Sequence, residues 1–375
     1  MINHINYIKK IFKKKYISLS EPAISNKDIK ILNGYIRNNH VSTYGVATKD
    51  LEKKISRYTG SKYVICTNNG TAALHIALAV IDVNFNDEVL MPSFSFISPA
   101  NAIKYCNATP HFVDSEIDNL GVDPYKLEKY LEKNFFLKNK NLINKKTKKK
   151  VKALILVHAY GHPAKVEDLK KICKKYKIKL IEDAAEAAGS FYKKKHVGTF
   201  GDIGVLSFNG NKIITTGGGG ALLTNSKKLY IKMLSLVTLS RKENDFFDYK
   251  KVGYNYRMPS VNAALGIGQI DELENFIKSR NYLYRIYKKL FKGSDIKIFK
   301  EPKFCRSNYW LQIVFIKKNV IHRKKIISFY KKNNIDLRPG WKLISDIKHF
   351  KDCPKSDLSN AKFLSQHIIN LPSVI

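Results

Sequence analysis

The chain has 375 residues and 44% hydrophobic content, enough for a sizeable core and for two domains at about 150 residues each. Its 67 Lys and Arg against 31 Asp and Glu give a net charge of +36. By sign alone this would suit a nucleic-acid binder, but the lysines are spread over the whole length and accompany no nucleic-acid-binding module, so no nucleic-acid partner is expected.

The N-terminal segment MINHINYIKKIFKKKY places Ile2, Ile5 and Ile8, then Ile11 or Phe12, at helical spacing beside Lys9, Lys10 and Lys13 to Lys15. A packed or frayed extension is the expectation, with contact to an anionic membrane face as the alternative. The segment lacks the unbroken apolar core of a signal peptide. No apolar stretch in the chain approaches the ~20 residues of a bilayer span. Five scattered cysteines (Cys66, Cys106, Cys173, Cys305 and Cys353), none in a CxxC pair, suit a reducing cytoplasm and give no zinc signal.

YVICTNNGTAALHIALAV predicts a strand over 63–67, a turn at Asn68-Asn69-Gly70 and a helix from about Thr71. Such a helix start offers free amides and the positive end of the dipole to an anion, so Gly70 and Thr71 are candidate phosphate contacts; an ordinary strand-to-helix turn is the alternative. Further strand-like runs at 88–95, 110–114, 153–159, 178–183, 203–208 and 221–224 alternate with helical stretches. They read as a mainly parallel sheet covered on both faces. Residues 133–150 carry eight Lys and no acid and read as a solvated surface loop. The segment after about Gly266 reads as a linking helix and a smaller α/β domain. The division is a basic extension over 1–16, a large domain over 17–265 and a small domain over 266–375.

Two of these runs carry chemistry. IKLIED ends on Asp183, and open α/β sheets place ligand groups just beyond the carboxyl ends of their strands. A carboxylate there can keep a pyridine nitrogen protonated; capping the next helix is its other use. SFNGNKIITTGGGG holds Lys212 between apolar runs, a setting that keeps a fraction of an amine unprotonated and nucleophilic. Ser207 lies five positions before it and a glycine run follows. His158, at the end of another strand, is a candidate for substrate contact or for the core.

Six ordered segments, among them NNGTAALHIAL, EVLMPSFSFISPANAIKY, LIEDAAEAAGS, GTFGDIGVLSFNGNKIITTGGGGALLTN and VGYNYRMPSVNAALGIGQIDELE, closely resemble the DegT/DnrJ/EryC1/StrS family of sugar aminotransferases, from about Ile17 to the end. The resemblance implies the pyridoxal-phosphate-dependent transferase fold type I, aspartate aminotransferase-like, and pyridoxal 5'-phosphate as cofactor. Lys212 would form the imine with the coenzyme and shuttle the proton, and Asp183 would partner the ring nitrogen. Gly70, Thr71 and Ser207 would hold the phosphate, Phe96 would stack on the ring, and Glu186 would lie near the ring hydroxyl. Phe94 and Phe96, two apart, could equally be core residues of a strand. Asn255 in GYNYR would reach the phosphate of a neighbouring subunit, which implies a homodimer. Arg257 and VSTYG, with Thr43, are candidates for substrate contact, Arg257 equally for the interface.

The expected reaction moves an amino group from glutamate to C4 of a nucleotide-linked 4-keto-6-deoxy sugar, most plausibly UDP-2-acetamido, for bacterial surface glycans. One departure bears on this. Gly218 stands where many relatives carry an acid, and the all-glycine run suits a subgroup acting on 2-acetamido sugars. A C3 aminotransferase acting on a dTDP-keto-sugar, a regulator that kept the fold, and a nucleic-acid binder are the competing readings; Lys212 argues against the dehydrating branch that carries His there.

Overall fold

The computed structural model describes residues 2–43, 45–242, 247–317 and 320–374. Tyr44 of the VSTYG segment lies outside them. Runs such as VICT, ALILV and IGVLS are apolar on both sides of the pleat, as strands buried on both faces must be. They assemble into one mixed sheet of nine strands. Seven lie side by side in the order Tyr63–Thr67, Gly220–Thr224, Ile203–Ser207, Lys179–Asp183, Lys150–Val157, Asp87–Pro92 and Thr109–Val113. Gly220–Thr224 runs against its two neighbours, and the other pairings along this path are parallel. The register sets Gly220 opposite both Thr67 and Ser207, and Asp183 opposite Val205, so these residues gather at the same end of neighbouring strands.

Each face is sealed by a separate apolar cluster. One joins Ile65, Leu206 and Leu222 to the helices Gly70–Ala79 and Ser260–Leu290, and the other joins Leu154, Leu156 and Leu180 to Val166–Tyr176. Helix Gly70–Ala79 is apolar nearly all round and buried accordingly. This fixes its N-terminus against the sheet edge. A smaller antiparallel sheet of four strands, in the order Ile296–Ile298, Gln312–Ile316, Ile368–Leu371 and Arg338–Pro339, lies beyond the 31-residue helix Ser260–Leu290.

Two stretches differ from their expected form. The segment over 133–150 is not a plain loop: Phe135–Lys138 and Asn141–Asn144 pair as a hairpin on the edge of the large sheet. Asn139 and Lys140 turn it with φ of 50° and 62°, the sign a two-residue hairpin turn demands. Phe135 and Leu142 are buried, so alternate apolar residues among the lysines carry the strand pattern. At the N-terminus, Ile5 and Ile8 of helix Ile2–Phe12 are buried with Ile17, Leu283, Tyr287 and Ile326. That apolar stripe is used for packing and is not free to meet a lipid surface. No helix among the described residues is long and apolar enough to cross a membrane.

Candidate active site

The converging strand ends open into a cavity of about 370 Å³. Gly70, Thr71, Phe96, Asp183, Glu186, Ser207 and Lys212, seven of the residues singled out in the sequence, line it together.

At one end, Asn69 caps helix Gly70–Ala79, its side chain accepting the Ala72 amide at 2.7 Å. The cap leaves Gly70 and Thr71 as the first helical residues, whose amides have no acceptor within the helix. A Cβ on Gly70 would stand 2.9 Å from Ser207 Cβ, and one on Gly220 would stand 2.7 Å from the Asn69 carbonyl carbon and the Gly70 nitrogen. Both glycines are needed for the turn and the Ser207 hydroxyl to lie this close. The result is a tight cradle of amides and a hydroxyl, suited to a phosphate.

Asp183 ends strand Lys179–Asp183. Its Oδ1 accepts the Ala185 amide at 3.1 Å, and Oδ2 has no hydrogen bond among the described residues. Burial pushes this carboxyl above its ordinary value, with the Ala185 amide and the Lys212 ammonium pulling the other way. A buried acid of this kind gains from a cationic partner, which a protonated ring nitrogen would supply.

Lys212 Nζ lies 3.4 Å from Glu186 Oε1 and 4.0 Å from the centre of the Trp310 ring. Glu186 is itself pushed upward by burial, opposed first by Lys212 and then by the Tyr160 amide, which it accepts at 2.7 Å. Tyr160 takes a left-handed conformation, φ 55° and ψ 18°, unusual and costly for a bulky aromatic; this conformation accompanies an amide turned onto Glu186. Phe96 is 56% exposed while Phe94 is fully buried against Trp341. The chain leaves the strand at Pro92, so the alternation that would have put both on one core face does not reach them.

Four sequence candidates lie elsewhere. His158 does not line the cavity and is fully buried. Its Nδ1 accepts the Ala164 amide and its Nε2 donates to Glu182 Oε2, both at 3.1 Å, so the proposed substrate contact is corrected to a role inside the core. Burial alone would raise the Glu182 carboxyl, but His158 and the Gly201 and Gly198 amides hold it below its ordinary value. Thr43, Asn255 and Arg257 line a second cavity. There the Arg257 fork is already committed to Glu52, Nη1 to Oε1 at 2.5 Å and Nη2 to Oε2 at 3.2 Å. A Cβ on Gly218 would meet only the Asn68 carbonyl oxygen, at 3.9 Å, so the missing acid leaves open space.

Sequence reasoning missed the part of the main cavity's lining supplied by Trp310, Arg338, Trp341 and Asn370 from the small sheet and its approaches. The one available signal was that the chain has two tryptophans, and both are here.

The donor set fits pyridoxal phosphate group by group: cradle for phosphate, carboxylate for ring nitrogen, half-exposed ring for ring face, amine for aldehyde. Ser95 Oγ, buried on the same cavity, has no partner among the described residues, as a group kept for a ligand would.

Comparison with known proteins agrees. Residues 22–375 match the DegT/DnrJ/EryC1/StrS aminotransferase family. The chain is 34% identical over 325 residues to the GDP-perosamine synthase of Escherichia coli O157:H7, covering 87% of this chain and 84% of that one. It is 32% identical over 361 residues to the GDP-perosamine synthase of Vibrio cholerae, covering 95% and 94%. Helicobacter pylori PseC, an aminotransferase involved in the biosynthesis of pseudoaminic acid, superimposes with a TM-score of 0.85 at 25% identity over 96% of this chain and 94% of that one. Fold type I architecture, cavity chemistry and sequence thus converge: the chain belongs to the DegT/DnrJ/EryC1/StrS family and is a pyridoxal-phosphate-dependent sugar aminotransferase.

Proposed function

We propose that the enzyme moves an amino group from glutamate to the C4 keto carbon of a nucleotide-linked 4-keto-6-deoxy sugar. The observation that carries the reading is Lys212 Nζ, held between Glu186 and Trp310 in the cavity that Asp183 and the Gly70 helix start also line.

When bound, pyridoxal phosphate supplies an aldehyde that takes up the amino group and a ring that accepts the electron pair left on the donor carbon. The chain's own residues do the rest. The Gly70 and Thr71 amides and the Ser207 hydroxyl bind the phosphate. Phe96 covers one ring face and excludes water from it. Asp183 holds a proton at the ring nitrogen. Lys212 Nζ moves a proton between the donor carbon and the coenzyme, first one way and then the other, while Glu186 orients the amine from its 3.4 Å contact.

Two sugar nucleotides compete. The Gly218 substitution favours a UDP-linked 2-acetamido sugar, whereas the relatives called GDP-perosamine synthase favour a GDP-linked sugar. Incubation with glutamate and a panel of UDP-, GDP- and dTDP-linked keto-sugars, with mass detection of the product, separates them. Failure of every 4-keto sugar to gain the mass of an amine exchange, with a 3-keto sugar accepted, overturns the C4 assignment.

A homodimer is part of the reading. Thr43, Asn255 and Arg257 sit together in a cavity apart from Lys212, an arrangement that makes sense if Asn255 completes the phosphate site of a second copy. A protein that sediments as a monomer with full activity contradicts this. The product is read as an amino sugar for surface glycans, and the five free cysteines suit a cytoplasmic enzyme.

A further inference from the structure

Two neighbours set where the Lys212 amine lies: Glu186 Oε1 at 3.4 Å and the Trp310 ring, whose centre is 4.0 Å away. The Trp310 indole also donates to the carbonyl of Asn211, next to Lys212 in the chain, at 2.7 Å. Glu186 and Trp310 come from distant parts of the sequence, and one side chain joins them. Asn308 is fully buried and does not line the cavity. Its Nδ2 donates to the Glu186 carbonyl at 2.9 Å and to the Ala188 carbonyl at 2.8 Å, and its Oδ1 accepts the Trp310 amide at 2.8 Å. Both donors and the acceptor are thereby used, which fixes the orientation of the side chain. Neither carbonyl has another hydrogen bond among the described residues, and nor has the Trp310 amide. A third segment closes on the same group. The Asn308 amide donates to Ser190 Oγ at 2.9 Å, and Ser190 Oγ donates to the Gly161 carbonyl at 2.7 Å. Gly161 has a φ of 90°, and a Cβ there would overlap Asn308 Oδ1. Only glycine lets the turn that carries the Tyr160 amide to Glu186 pack against this side chain.

We propose that Asn308 is a positioning residue for Lys212: it sets the spacing between Glu186 and Trp310 and so holds the amine where it meets the coenzyme aldehyde. The proposal rests on the aminotransferase reading above and adds to it a residue outside the cavity. Glu186, Ala188 and Trp310 are all buried, so the backbone groups that Asn308 satisfies have no water to turn to when it is lost. Their segments must shift to find new partners. Such a shift reaches Lys212 from both sides at once, through the carboxylate and through the ring. A reacting group misplaced by about 1 Å can lose about 100-fold in rate.

The test follows Lys212 itself. Coenzyme-free wild type, Asn308→Leu and Asn308→Asp are mixed with pyridoxal phosphate, and the growth of the absorbance band at roughly 410–430 nm is timed. Both substitutions keep the size of the side chain. Leu removes all three hydrogen bonds, whereas Asp keeps the acceptor for the Trp310 amide and turns a second oxygen onto the two carbonyls. Ile8→Ala, buried in the separate apolar cluster of the N-terminal helix, is the control for lost stability, and circular dichroism checks folding throughout. The expected result is band growth slowed roughly 10- to 100-fold in both Asn308 variants, with turnover lowered in the same range. Ile8→Ala should stay within about threefold of wild type, as a distant and independent site does. Adding Asn308→Leu to Glu186→Ala should cost less than adding it to the wild type, because the carboxylate being placed is already gone. Band growth as fast as that of the wild type, losses that simply multiply, or failure of both Asn308 variants to fold overturns the assignment. A wild type that develops no band overturns instead the reading on which the assignment rests.

Discussion

The two walls of the catalytic cavity come from different parts of the chain and obey different rules. One is made by strand ends and a helix start between residues 69 and 212, where the backbone itself is part of the site: amides at Gly70 and Thr71, a carboxylate at a strand terminus, a tyrosine amide bent onto Glu186. The other includes two tryptophans, an arginine and an asparagine from residues 310 to 370. In the proposed function the first wall meets a coenzyme that is present in every turnover, and the second meets substrates that differ between the two half-reactions. In that proposal the first wall combines backbone amides with the reacting side chains Asp183 and Lys212, and the second wall serves recognition. Variants in the first wall should therefore lower kcat, and variants in the second should raise KM.

The sharpest break comes at Lys212. Lys212→Ala should cut turnover by about 10⁴-fold or more, as loss of a covalent and proton-moving group does, with folding intact by circular dichroism. Retained turnover would end the comparison.

Asp183→Asn should lower kcat by about 100-fold or more, a magnitude typical of losing a preorganised charge partner. It should also do something a purely structural residue would not. Burial raises the Asp183 carboxyl above its ordinary 3.8, so in the coenzyme-free protein the folded state binds more protons than the unfolded one, and stability falls as pH climbs from 3.8 towards the raised value. The neutral Asn escapes that loss. Coenzyme-free Asp183→Asn should melt about 1–3 °C above wild type at neutral pH, with the gap closing as pH falls towards 4. An equal gap at every pH contradicts the sign.

On the opposite wall, Trp341→Leu should raise KM by about tenfold with kcat changed less than about threefold, because an aromatic contact to a bound substrate is lost while the reacting groups stay in place. A drop in kcat as large as that for Asp183→Asn would erase the distinction between the walls. Gly70→Ala serves as the first wall's packing control. The new methyl must push Ser207 aside, costing about 1–3 kcal/mol and weakening the coenzyme more than the substrate, as titration of each would reveal.

These differences also explain what could be read from the sequence. Backbone-built sites need particular residues at particular spacings, so NNGT, LIED and SFNGNK stand out in the sequence itself. Strand 63–67 and the strand ending at Asp183 fall where the apolar runs put them. The second wall has no such grammar. Arg338 and Asn370 face each other across a short antiparallel pair, a long-range register that local pattern does not reveal. His158 misled for the converse reason: its strand-end position suggested a ligand, yet Ala164 and Glu182 occupy both ring nitrogens. The lysine-rich hairpin was hidden because Phe135 and Leu142 alternate with charges that dominate the composition.

Farthest from the cavity, Ile8→Ala should destabilise the protein by about 2–4 kcal/mol, the cost of a buried cavity, while leaving KM and kcat unchanged below the melting transition. Vesicle sedimentation of the protein lacking its first fifteen residues should match that of the full chain, because the Ile5 and Ile8 stripe is already covered.

The proposed reaction depends most on where the coenzyme becomes attached. Purified protein given pyridoxal phosphate should develop an absorbance band at roughly 410–430 nm that disappears on borohydride reduction, and peptide mapping should then find the reduced coenzyme on Lys212. No band, or a label fixed on any other of the chain's lysines, would contradict it.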